Sequence, residues 1–288
     1  MCATRCHSEV RSWTGSGEGR INEDYAMVDL DACCAMLVDG ATGLTKANLV
    51  EGITDAAWYA QQLTTATIAH MRQGLSACEA LYAAGTDVAQ AYLRLRGASE
   101  LSREDLPNGS VAILCWDDSM LRVVMLGDCT AVVGMRQGES HVVHDATLDA
   151  LDQQSYACMY EYATIHGTSM KKARAAVNDQ FIKNRLTMNE PGGYWAADIT
   201  CRGFGHELVQ EFALQDVRYA FVCSDGYVAA VDMGVIASAA NLGDAVARGE
   251  GSRMGERLRA AEQADKGCWR VHRSKISDDA TYALVRFG

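Results

Sequence analysis

The chain has 288 residues, 49% of them hydrophobic, with two prolines and a formal net charge of −11. That apolar fraction can bury a large core as one big domain or two small ones, and no proline-rich or charge-run linker divides it. An acidic balance without a basic stripe argues against nucleic acid as a partner, and the lack of an apolar leader or membrane-length run points to a soluble cytoplasmic protein with no membrane partner.

The first predicted unit is a hairpin: Tyr25 to Leu30, a turn at Asp31-Ala32, then Cys33 to Val38. Asn22-Glu23-Asp24, just before it, reads on its own as a solvated loop. The hairpin runs into Val38-Asp39-Gly40-Ala41-Thr42-Gly43, which sets a carboxylate on a sharp turn at a strand end. Gly40 and Gly43 let the backbone turn tightly there, although Asp-Gly alone is also a common hairpin signal. Thr54 to about Arg72 reads as a helix, with Thr54 as N-cap and Ala57, Trp58, Leu63 and Ile68 on an apolar face. A second helix from Ser76 to Leu95 is predicted to pair with it.

After Pro107-Asn108-Gly109 the pattern switches to strands. Ser110 to Trp116, Met120 to Leu126 and Thr130 to Met135 are predicted to form a three-stranded meander, with Gly127-Asp128-Cys129 at the last junction. Helices follow at about Thr147 to Thr164 and Ser169 to Met188. Tyr194 to Ala197, Leu208 to Leu214 and Tyr219 to Cys223 read as strands. The last of these ends in Ser224-Asp225-Gly226, which repeats the construction at Asp39. A helix from about Leu242 to Ala264 precedes Ser277-Asp278-Asp279-Ala280-Thr281 and a final strand, Tyr282 to Phe287. Strands cluster with strands and helices with helices, an α+β arrangement. Eleven cysteines, several in apolar strand contexts, read as small buried hydrophobes.

Glu23, Asp24, Asp39, Asp225 and Asp278 each flank a strand candidate, so shared sheets can bring them to one edge. Packed carboxylates repel one another and need a cation. Oxygen ligands suit hard divalent ions, Mg²⁺ or Mn²⁺, and two such ions about 3.5 to 4 Å apart can hold a phosphate for in-line attack.

The ordered set Asn22-Glu23-Asp24, Val38-Asp39-Gly40-Ala41-Thr42-Gly43, Asn108-Gly109-Ser110, Gly127-Asp128-Cys129, Ser224-Asp225-Gly226 and Ser277-Asp278-Asp279-Ala280-Thr281 resembles the protein phosphatase 2C family of bacterial type, the metal-dependent serine/threonine phosphatases. The resemblance spans nearly the whole chain. It implies one domain over residues 1–288, built as a β-sandwich of two antiparallel sheets flanked by helical pairs, in four layers α-β-β-α. It also implies a metal-dependent phosphomonoesterase acting on phosphoproteins through two Mg²⁺ or Mn²⁺ ions and a metal-bound hydroxide. Asp39 would bridge the ions, Glu23 and the Gly40 carbonyl would hold one, and Asp225 and Asp278 the other. Asp24 would act in the outer sphere. Asp128, with Asp225, would hold a weak third ion, because the position of a further acid in some members is Ala229.

Other departures matter. Ala41 stands where many members have a histidine, which would leave leaving-group protonation to metal-bound water. The family's phosphate-binding arginine position is Gly19, with Arg20 one residue later, so a one-residue loop shift would restore the role. Asp279 replaces a frequent asparagine, and Cys129 a usual serine. His144-Asp145 resembles a polar pair at the site edge, and the remaining histidines read as surface or satisfied core residues. A pseudophosphatase serving as a regulatory binding module and a small-molecule phosphatase are the alternatives. Nothing in the sequence sets the oligomeric state.

Overall fold

A computed structural model describes residues 6–16, 20–44, 48–95 and 100–288. Among the described residues, eleven strands form two sheets. They are β1 (Cys6–Trp13), β2 (Asp24–Asp29), β3 (Cys34–Ala41), β4 (Asn108–Trp116), β5 (Met120–Leu126), β6 (Thr130–Met135), β7 (Ser140–His144), β8 (Ala197–Asp198), β9 (Leu208–Ala213), β10 (Val217–Cys223) and β11 (Ala280–Phe287). One sheet has the order β1-β11-β10-β6-β7, the other β2-β3-β4-β5-β9 with β8 paired to β4. Every pairing is antiparallel.

Alternation of side chains along a strand explains the layering. From β3, Ala35 and Leu37 enter the core between the sheets, where they join Ala112, Val222, Ala283 and Val285. Cys34, Met36 and Val38 point the other way, against Tyr59, Leu63, Leu81 and Tyr92. Those four come from α1 (Asp55–Arg72) and α2 (Ala77–Leu93). The second sheet does the same: Val132, Phe221, Tyr282 and Leu284 pack under Leu242, Val246 and Leu258 of α7 (Ala239–Ala247) and α8 (Gly251–Ala264). Strands covered on both faces read as unbroken apolar runs. This is the expected four-layer α+β sandwich with helical pairs outside.

The expected helix starts are in place. Thr54 Oγ1 accepts from Ala57 N at 3.1 Å. At α2, Ser76 Oγ accepts from Glu79 N at 3.4 Å, and Glu79 Oε2 accepts from Ser76 N at 3.0 Å, a reciprocal box that satisfies two otherwise orphaned donors. Between β7 and β8 lie α3 (Thr147–His166), α4 (Met170–Ala176) and α5 (Asn178–Arg185). Met159, Ala163, Met170, Ala173 and Cys268 form a small core of their own. A short helix, α6 (Asp225–Val228), follows β10. Among the described residues, no helix is long and apolar enough to cross a membrane.

Several expectations change. The three-stranded meander does not exist, because β5 and β6 belong to different sheets. The crossing is made at Gly127, whose φ is +92°; a Cβ there would also collide with the Ser110 hydroxyl. The helix expected over Ser169–Met188 divides at Val177 into α4 and α5. The one expected over Leu242–Ala264 divides at Gly249, φ +87°. Tyr194–Ala197 contributes little beyond β8. Two strands were not expected. β1 is mostly exposed and is held by pairing along its length with β11, and β7 is likewise polar.

Leu37→Ala, in the fully buried inter-sheet core, should lower unfolding free energy by about 2–5 kcal/mol in urea titration. Leu208→Ala, on a largely exposed strand, should cost under about 0.5 kcal/mol. Equal effects would contradict this placement of the core.

Candidate functional site

Antiparallel strands that run toward one end of the sandwich finish there, and their neighbours begin there. β3 and β5 finish, and β2, β4 and β6 begin, at the same end as the finish of β10 and the start of β11. Each acidic motif sits at one of these termini, so the topology gathers residues scattered from 23 to 278. Asp24 and Asp39 are direct register partners on β2 and β3, and Asp39 is opposite Ser110 on β4. Like charges placed opposite each other on paired strands destabilise the pair.

The second sheet closes on this edge through hydrogen bonds. The Ser224 hydroxyl donates to Asp24 Oδ2 at 2.8 Å and accepts from Thr281 N at 2.9 Å. Asp225 N donates to Asp39 Oδ2 at 3.4 Å. Ser110 Oγ donates to Asp128 Oδ1 at 2.5 Å and accepts from Asp128 N at 3.2 Å, so Asp128 is anchored at the sheet crossing. Gly40 N donates to Glu23 O at 3.2 Å, and a Cβ at Gly40 would lie 2.6 Å from that oxygen. The Thr42 hydroxyl donates to Glu23 Oε1.

Asp278 carries two cations. Arg20 Nη2 lies 3.0 Å from Oδ1 and Lys275 Nζ 2.5 Å from Oδ2. Arg20 also reaches Asp279 Oδ2 at 3.3 Å, so its side chain is at the site, whereas Gly19 lies outside the described residues. Asp279 is buried and accepts from Gly15 N at 2.7 Å and Glu23 N at 3.0 Å. It is therefore the staple that holds the Arg20–Glu23 loop against the end of the sandwich. The amide nitrogen of an asparagine could not accept as both carboxylate oxygens do. Sequence reasoning recorded Asp279 as a substitution and missed this part. Lys275 was missed as well, since nothing in the spacing of a basic loop marks one lysine.

Electrostatics follow from the crowding. Burial, and then the charges of Asp24, Asp225, Asp128 and Asp278, push Asp39 well above the usual carboxylate range. Burial pushes Asp24 up to about 7, against the Ser224 hydrogen bond. Asp225 is raised by its crowded setting and by Asp278 and Asp128. Its side chain is open to water, so repulsion carries more of that rise than desolvation does. Asp278 goes the other way: Lys275 and Arg20 outweigh the effect of burial and hold it low.

This donor set fits a hard divalent cation. The side chains are oxygen donors whose mutual repulsion a cation would relieve, and Asp24 Oδ1 is buried without a hydrogen-bond partner. Among the described residues, no three acidic, thiol or imidazole side chains close on a single point; Asp278 is turned to its two basic partners. Beside the acids opens a cleft of about 650 Å³, lined by Asp128, Asp225, Asp278, Asp152, Tyr156 and Lys275 among others. His144 is at its edge, as expected. Its Nε2 lies 2.8 Å from Asp149 Oδ2, and its Nδ1 lies 3.1 Å from Cys129 O. Nε2 thus ties β7 to the first turn of α3, and Nδ1 ties it to the chain entering β6.

The fold is shared with bacterial phosphatases. The catalytic domain of the serine/threonine protein phosphatase PstP, in complex with two manganese ions, is 16% identical with a TM-score of 0.52, covering 98% of each chain. The serine/threonine phosphatase Stp1 from Staphylococcus aureus is 11% identical with a TM-score of 0.54, covering 100% of this chain and 97% of its own. PppA, a regulatory component of the type VI secretion system in Pseudomonas aeruginosa, is 15% identical with a TM-score of 0.54, covering 98% of each chain. At these identities the likeness establishes the fold that the sequence motifs implied. No protein-family model and no curated protein sequence matches the chain.

The hydrogen bond to Asp149 raises His144 to about 9. An imidazole raised above its unfolded value of about 6.5 contributes stability that is complete below that value and lost as pH rises through the folded one. In chelator-treated protein, wild type should therefore lose about 1–2 kcal/mol relative to His144→Phe between pH 6 and pH 10, a figure reduced for the exposure of Asp149. Parallel stability curves for the two proteins would show that the His144–Asp149 contact is neutral.

Proposed function

We propose that the chain is a single-domain, Mg²⁺- or Mn²⁺-dependent phosphomonoesterase of the protein phosphatase 2C family, acting on phosphoserine and phosphothreonine in protein substrates. The observation that carries this reading is the convergence of Asp24, Asp39, Asp128, Asp225 and Asp278 on one end of a fold shared with serine/threonine phosphatases.

Asp39, central among the acids, would hold both ions. Glu23 and the Gly40 carbonyl would hold one, and Asp225 and Asp278 the other. Asp24, held by Ser224, would act from the outer sphere, and Asp128 with Asp225 would hold a weaker third ion. When bound, such a pair supplies positive charge against the phosphate and activates a water for in-line attack. The protein's own part is to keep the carboxylates deprotonated and fixed, through Ser110, Ser224 and the Asp279 staple. Arg20, whose guanidinium is held through Nη2 by Asp278 and Asp279 beside the acids, would orient phosphate with its remaining donors. Ala41 offers no proton, so the departing alkoxide is protonated from water in the cleft.

One observation favours a second reading, a binding module without turnover: the Arg20 donor Nη2 is already committed to two carboxylates. Hydrolysis of p-nitrophenyl phosphate, with and without Mn²⁺ and with EDTA, separates the two. The enzyme reading requires metal-dependent turnover, and none across pH 6–9 would leave the binding module. Asp39→Asn and Asp225→Asn should each lose more than about 100-fold in kcat, beyond the usual loss for an outer-shell partner, while circular dichroism shows a folded chain. In chelator Asp39→Asn should be at least as stable as wild type, because a repelling charge is gone. Near-wild-type kcat in Asp39→Asn would rule the mechanism out.

A further inference from the structure

Lys275 ends the basic stretch Arg270-Val271-His272-Arg273-Ser274-Lys275 on the cleft wall. Its neighbours are committed to structure. Arg273 Nη1 lies 2.7 Å from Asp265 Oδ2 and donates to Val271 O at 2.9 Å, and Arg270 Nη2 donates to Met233 O at 3.3 Å. Lys275 instead turns to Asp278, its Nζ 2.5 Å from Oδ2. Arg20 holds the other oxygen and is tied to Asp279 besides. The Lys275 side chain remains 45% exposed, on a flexible four-carbon stem that lets the ammonium swing into water.

We infer that Lys275 is a resident counter-ion that competes with a divalent cation for Asp278, so that loading of the Asp225–Asp278 position is an exchange of ammonium for metal. The inference rests on the reading of Asp278 as a metal ligand. An ammonium at 2.5 Å and a divalent ion on the same oxygen would repel each other, so the ammonium must withdraw for the metal to coordinate. A half-exposed monovalent pair is weak, and the incoming ion carries twice the charge; the exchange therefore runs toward metal. Lys275 makes it less favourable than it would otherwise be. Among the described residues no basic side chain is ion-paired with Asp39 or Glu23, so the Asp39–Glu23 position fills without such an exchange. The chain thus separates the two positions in affinity by means of one lysine.

The test is Mn²⁺ binding to the chelator-stripped full chain, followed by isothermal titration calorimetry and by the free-Mn²⁺ paramagnetic resonance signal. Wild type should bind in two steps ahead of the weak third ion at Asp128, with Asp278→Asn removing the weaker of these two. Lys275→Met should tighten that weaker step roughly three- to fivefold and leave the tighter step within twofold. Lys275→Arg keeps the charge and should retain wild-type affinity. Arg270→Met removes a positive charge from the same wall without touching Asp278, and should move neither step more than twofold. Unchanged binding in Lys275→Met would overturn the inference while leaving the metal site intact, as would equal tightening in Arg270→Met, which would reveal a general field effect. Wild type that binds no Mn²⁺ would overturn the ligand reading beneath it.

Discussion

The mutual repulsion of carboxylates at one end of the sandwich is the constraint on which this structure turns. Asp24 and Asp39 face each other across adjacent strands, a pairing that costs stability wherever both are charged. The second sheet adds Asp225 and Asp278 to the same space. Elsewhere the chain gives buried acids partners of their own, as Tyr92 for Asp55 and Arg259 for Glu262. Here it concentrates acid, and two hydrophobic helix–sheet layers and the inter-sheet core hold that concentration in place. Such a site, backed by so much buried apolar surface, fits a cation, which would relieve the repulsion.

The devices that contain the repulsion are small and specific. Ser224 joins the two sheets by hydrogen-bonding Asp24 from one side and Thr281 from the other. Ser110 fixes Asp128 at the point where the chain leaves one sheet for the other. Asp279 turns its own buried charge to backbone amides and to Arg20, so it braces the loop that carries Arg20 and Glu23. Lys275 and Arg20 offset Asp278. The result is a graded field, with Asp39 and Asp225 pushed well above the usual carboxylate range and Asp278 held below it.

Much of this was legible in the sequence, for physical reasons. Strands covered on both faces leave unbroken apolar runs such as Ala35–Val38, and acid-glycine turns at their ends mark where backbone must turn sharply; together these gave the α+β arrangement and the positions of Asp39, Asp128 and Asp225, while the sandwich followed from the family resemblance of the ordered motifs. The pairing of strands was less legible. β5 and β6 look like neighbours because three residues separate them, yet Gly127 adopts a left-handed conformation that carries the chain to the other sheet, and periodicity is silent about which sheet a strand joins. β1 went unread because pairing with β11, a long-range contact, supplies the order that its polar sequence lacks. Helix breaks at Val177 and Gly249 were hidden inside continuous helical composition. At the site, Lys275 and the role of Asp279 depend on loops meeting in space, which local pattern does not encode.

The central claim is that these carboxylates exist to hold a pair of divalent ions. Crystals of the full chain grown with millimolar Mn²⁺, with diffraction recorded on both sides of the manganese absorption edge, test it most directly. The account predicts two anomalous peaks about 3.5–4 Å apart, both in contact with Asp39, one toward Glu23 and the Gly40 carbonyl and the other between Asp225 and Asp278, with Lys275 withdrawn. Well-ordered crystals in which Asp39 and Asp225 have no manganese between them and Lys275 still sits on Asp278 would contradict it.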